Sequence, residues 1–96
     1  MVQEHEHYIV NNSYPCADYD GITIEGIFKA NDLSIIIENL KNESKKTMSV
    51  DNNAIMIFKA DYFEMYLYNQ EKFVMSKVKD KQQGIEFLNI ICRGLG

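Results

Sequence analysis

The first 28 residues contain no lysine or arginine. A segment without cations cannot grip a phosphate backbone, and no nucleic acid is expected as a partner. Long apolar runs are missing too. The longest are Ile35-Ile36-Ile37 and Ala54-Ile55-Met56-Ile57-Phe58, far short of the roughly 20 residues of a membrane helix, so no membrane contact is expected. The opening Met1-Val2-Gln3-Glu4-His5-Glu6 lacks the basic and apolar stretches of a secretion signal, which points to a cytoplasmic location. None of the five glycines falls in a phosphate-cradling loop. Ser13, Ser34, Ser44, Ser49 and Ser76 lack the glycine-flanked elbow of a nucleophile, and Cys16 has no neighbouring cation to activate it. No catalytic signature remains. The chain reads as non-enzymatic, and no cofactor is expected.

What is present is ordinary globular material. Hydrophobic residues make up 46% and charged residues 25% of the 96, enough apolar content for one core in a single domain over 1–96. The net charge of −4 is unevenly placed: residues 1–43 carry −6 and residues 44–96 carry +2. Cys16 and Cys92 stand at opposite ends and read as reduced thiols, with a Cys16–Cys92 bridge as the alternative.

The element order follows from hydrophobic periodicity. Tyr8 to Val10 suggests a short first strand, after which Asn11-Asn12-Ser13-Tyr14-Pro15 has loop composition. Asp20-Gly21 signals a turn into an alternating strand, with Ile22, Ile24 and Phe28 on one side and Thr23, Glu25 and Ile27 on the other. Gly26 inside that strand implies a bulge or a close backbone approach. Leu33, Ile36, Ile37 and Leu40 lie on one face of a helix that Asn31 or Asp32 can cap. Strands are expected next at 46–50, 54–60, 62–68 and 72–79. In the last, Val74, Ser76 and Val78 oppose Phe73, Met75 and Lys77. A second helix begins at Asp80, with Gln83 placed as in a capping box, and buries Ile85, Leu88, Ile91, Cys92 and Leu95. The expected fold is α+β: a two-layer domain with a mainly antiparallel sheet of five to six strands, two helices on one face, and a flexible terminus over 1–7.

Two groups of residues attract functional attention. His5 and His7 could offer two metal ligands but no third histidine exists, so they are weak candidates and no metal is expected. The stretch from Tyr14 to Glu25 combines carboxylates, which steer an encounter with a basic protein, and tyrosines, which anchor it. The candidate contacts are Tyr14, Asp18, Tyr19, Asp20 and Glu25, with Glu38 next. Tyr62, Tyr66 and Tyr68 form a possible secondary interface on the exposed sheet face, or simply stabilise it through cross-strand pairs. In size, charge and layout, carried by the acids from Glu4 to Glu25, the chain resembles the immunity proteins of bacterial toxin systems such as contact-dependent growth inhibition. That resemblance implies a binding protein, a monomer or weak homodimer, that covers the positively charged cleft of a toxin nuclease. Three other readings stay open: a phage or mobile-element inhibitor of a host defence enzyme, a homodimeric structural module, and a small metal-binding enzyme domain.

Overall fold

A computed structural model describes residues 3–17, 20–29, 33–51, 54–61, 63–69 and 71–95. Along the chain run β1 (Gln3–Glu4), β2 (Tyr8–Pro15), β3 (Ile22–Phe28), α1 (Ser34–Glu43), β4 (Lys46–Val50), β5 (Ile55–Lys59), β6 (Glu64–Tyr68), β7 (Lys72–Val78) and α2 (Lys81–Ile91). The strands form one antiparallel sheet in the order β1-β2-β3-β7-β6-β5-β4. The α+β class is as expected. The described strands number seven rather than five to six, because Gln3–Glu4, in the segment expected to be a flexible end, pairs with Ile9 and Val10.

The stretch Asn11 to Pro15 is not a loop. It continues β2 opposite Ile22 to Glu25. β1 covers only Ile9 and Val10, so beyond them β2 is the sheet edge, where turn-type residues and a proline cost no ladder bond on the outer side. An extra residue, Asn11, makes a bulge between Val10 and Asn12. Across from it Gly26 answers the close-approach expectation. A β-carbon there would run into the Ile9 carbonyl oxygen and stand 2.5 Å from Phe73 Cζ. The Phe73 ring lies over the bare glycine backbone of its register partner and packs on Phe28 at 4.8 Å.

Both helices cover one face of the sheet. The core joins Tyr8 and Val10 of β2, Ile24 and Phe28 of β3, Met65 and Leu67 of β6 and Phe73, Met75 and Val78 of β7 with Leu33, Ile36 and Leu40 at α1 and Leu88, Ile91 and Cys92 at α2. Burying each such large side chain contributes about 1.5–3 kcal/mol. Val78 shares this face with Phe73 and Met75, contrary to the strict alternation expected for β7. Ser76 and Lys77 together oppose Thr23, and Lys77 takes a positive φ of 63°. That bulge resets the alternation by one residue.

The helix ends are secured differently. At α2 the Asp80 carboxylate accepts the Gln83 N–H at 2.8 Å, while the Gln83 side-chain oxygen accepts the Lys79 N–H at 2.8 Å. The reciprocal bond thus reaches one residue further back than in a standard capping box. At the other end Asn39 of α1 donates to the Ile91 and Arg93 carbonyls at 2.9 and 3.0 Å, satisfying oxygens a helix terminus otherwise leaves unpaired. α1 begins after Leu33 without a side-chain cap bond. The expected caps Asn31 and Asp32 lie outside the described residues. Cys16 is half-buried and Cys92 buried, and both are free thiols.

Candidate functional site

With the helices on one side, the opposite face of the sheet is uncovered. Register fixes what it displays. One row reads Ile9, Ile27, Lys72, Tyr68, Ile55, Val50 from β2 to β4. The middle row reads Asn12, Glu25, Val74, Tyr66, Ile57, Met48. The third reads Tyr14, Thr23, Ser76, Glu64, Lys59, Lys46, with Thr23 set against the β7 bulge. Most of these side chains are half-buried, and Tyr14 and Val50 at opposite corners are each 42% exposed. Met48 lies on this face because its register partner is Ile57, which pairs in turn with Tyr66.

Tyr14 and Glu25, proposed from sequence as separate contacts, meet. The diagonal between β2 and β3 brings the Tyr14 hydroxyl onto the Glu25 carboxylate. That hydrogen bond to an anion, more than burial, raises the phenol above its ordinary pKa. Asp20 is exposed at the β2–β3 turn beside Gly21, whose φ of 110° needs a glycine. A cleft of about 510 Å³ separates Asp20 from Lys77, Lys79 and Gln83. Glu38 is exposed on α1, in the helical layer, and does not join the others. Asp18, Tyr19 and Tyr62 lie outside the described residues.

Sequence reasoning missed a polar cluster beside Tyr14. A cleft of about 490 Å³ is lined by Tyr14, Cys16, Thr23, Glu64, Tyr66 and Lys77. Tyr66 donates to Glu64 Oε2 at 2.7 Å, and Lys77 Nζ stands 3.4 Å from Glu64 Oε1. The Tyr66 bond first, and the Lys77 and Lys59 charges after desolvation, leave the Glu64 carboxyl below its usual range. Glu64 therefore stays ionised on a half-buried floor. Cys16 Sγ lies 3.3 Å from Thr23 Oγ1 on the cleft wall. The period-2 pattern placed Glu64 on the tyrosine side. Lys77 comes to it only through the bulge, which no local signal announces. The cleft has donors and one anion, and its aromatic and charged groups suit recognition of another molecule's surface.

The two histidines make local contacts. The His5 ring stacks on Tyr8 at 4.5 Å and 19°, and its Nε2 is buried without a hydrogen-bond partner among the described residues. His7 Nε2 stands 3.7 Å from Glu6. Among the described residues no three His, Cys, Asp or Glu side chains gather as metal ligands. Lys29 ties β1 down, donating to Glu4 at 2.8 Å and to the His5 carbonyl at 2.7 Å, and this bond lowers the Glu4 pKa. Among the described residues no helix is long and apolar enough to cross a membrane. No family model matches the chain, and no curated protein and no solved structure does either.

Proposed function

We propose that this chain is a non-enzymatic inhibitory binding protein. It neutralises a basic toxin, a nuclease, by laying an acidic, tyrosine-bearing surface over the toxin's positively charged cleft. The observation that carries this reading is the Tyr14–Glu25 hydrogen bond at the exposed sheet edge, with Asp20 at the adjoining turn. It places an aromatic anchor beside a carboxylate at the edge that a basic surface would meet. The N-terminal acids steer the encounter. Asp18 and Tyr19 extend this surface in the proposal, while Glu38, in the other layer, drops out of it.

The experiment is capture of the partner from the native host, followed by measurement of its nuclease activity with and without the chain. The wild type should stop hydrolysis. Asp20→Lys with Glu25→Lys should weaken binding at low salt at least about tenfold, the effect of reversing two charges at an interface rim. Unchanged affinity in the double variant, or a captured partner with no basic cleft, would overturn the proposal.

A further inference from the structure

We propose that a second copy of this chain covers the open face of the sheet, face to face, about a two-fold axis that runs parallel to the strands between β7 and β6. The inference goes beyond the inhibitor reading and needs no toxin. Its first support is area. The molecule measures 32 × 27 × 21 Å, and the short dimension matches one sheet plus one helix layer of about 10 Å each, so the open face takes the two long ones. That footprint is of the order of the roughly 800 Å² per partner buried in a standard interface.

The second support is charge placement. The proposed axis sets Val74 over Tyr66 of the second copy, Ile27 over its Ile55 and Ile9 over its Val50, pairing apolar positions of the rows fixed by register. Lys72 falls over the second copy's Tyr68, a cation against an aromatic face, and Lys46 over its Tyr14. Glu25 comes down on Ile57, beside Lys59 of the second copy. No two like charges are stacked. The other face-to-face arrangement, with the axis across the strands, lays Glu25 in the middle row on Glu25 and Tyr66 on Tyr66. The like-charge contact disfavours it. Glu25, the one charge that β2 and β3 place in these rows, thus meets the strand that carries Lys59 in its mate, with Lys46 on the next strand. Because Glu25 belongs to both surfaces, self-association and toxin binding compete.

Sedimentation equilibrium of the full chain tests this. The mass should rise from 11.2 kDa towards twice that value as concentration increases. Glu25→Lys and Lys59→Glu should each weaken the dimer about tenfold, near 1.4 kcal/mol, and the two together should restore it. Ile57→Lys should leave a monomer with wild-type circular dichroism. A monomer at all concentrations up to about 0.5 mM, a regime that detects even millimolar dissociation constants, would overturn the proposal. So would a dimer in which the double charge swap fails to restore what each reversal removes. A dimer that inhibits no nuclease would sink only the inhibitor reading.

Discussion

Gly26→Ala should be the most damaging single-methyl change in the sheet. The added β-carbon meets two obstacles: the Ile9 carbonyl oxygen on β2 and, at 2.5 and 2.9 Å, the Cζ and Cε2 atoms of Phe73. Neither can step aside alone. The carbonyl belongs to a strand pinned by pairing to β1 and β3 on either side of the Asn11 bulge. Phe73 is fully buried against Phe28 and Tyr8. Overpacking of this kind costs about 1–3 kcal/mol for a side chain, and displacement of the β2 backbone brings the expected loss to about 3–4 kcal/mol. Since a domain of this size is held by about 5–15 kcal/mol, the midpoint of thermal unfolding should fall by about 15 °C. Two controls bracket the effect. At Gly94 the nearest atom to an added β-carbon is Ile35 Cγ2 at 3.6 Å, so Gly94→Ala meets only the cost of its φ of 89°, about 1 kcal/mol. At Gly84 the β-carbon would meet the terminal methyl of Ile24, which can rotate away, and alanine favours the helix by about 1 kcal/mol. Urea denaturation of the three variants with a common m-value gives the ranking. A Gly26→Ala loss below about 1 kcal/mol, or one no larger than that of Gly94→Ala, would refute the close-approach argument.

Two further outcomes follow from buried groups. Burial, and then the neighbouring Cys92, pushes Tyr8 up to about 12, and burial pushes Cys92 up to about 11. Both groups hold their protons more tightly when folded, so their contribution is complete below pH 9 and lost as pH rises from 9 to 12. Stability should decline on this alkaline limb by about 1–2 kcal/mol for Tyr8 alone once solvent screening of its hydroxyl is allowed for, and urea midpoints against pH should show Tyr8→Phe flattening its upper part. Tyr8→Phe gives up the 2.8 Å bond to Asn89, a loss of about 1 kcal/mol at neutral pH. His5→Phe keeps the stack on Tyr8 and removes the unpartnered buried nitrogen, so stability at pH 8 should hold or rise by about 1 kcal/mol; a fall of that size would mean the nitrogen is bonded after all.

The parts of this fold that sequence exposes are those written in local patterns. The stripe Leu33, Ile36, Leu40 gave α1 its buried face, and Asp80 with Gln83 marked the start of α2. β3 alternates as expected because its partners on both sides keep it half-buried. Residues whose conformation is set at a distance were harder. Asn11 to Pro15 has turn composition, yet forms strand because Ile22 to Glu25 stands ready to pair with it. Val78 changes face because of a bulge whose only mark is a lysine with positive φ. At the site, Tyr14 and Glu25 were legible as residue types, and their bond only from the β2–β3 register. The Glu64, Tyr66 and Lys77 cluster required the pairing of two strands and the bulge to assemble. Asn39 on α1 closes the end of a helix 52 residues away, a pairing that no local pattern around it marks.

The strand order carries a consequence for synthesis of the chain. β4 to β7 are neighbours both in sequence and in the sheet and can pair as they leave the ribosome, but β3 finds its inner partner only in β7, where Ile27 meets Lys72. Until residue 78 has emerged, the finished N-terminal meander presents Ile24 and Phe28 on an open edge with no α2 above it. Such an interval of exposed strand and apolar surface is when nascent chains are most prone to wrong pairing. The Asn11 bulge and Pro15 keep the outer edge of that meander a poor template while it waits.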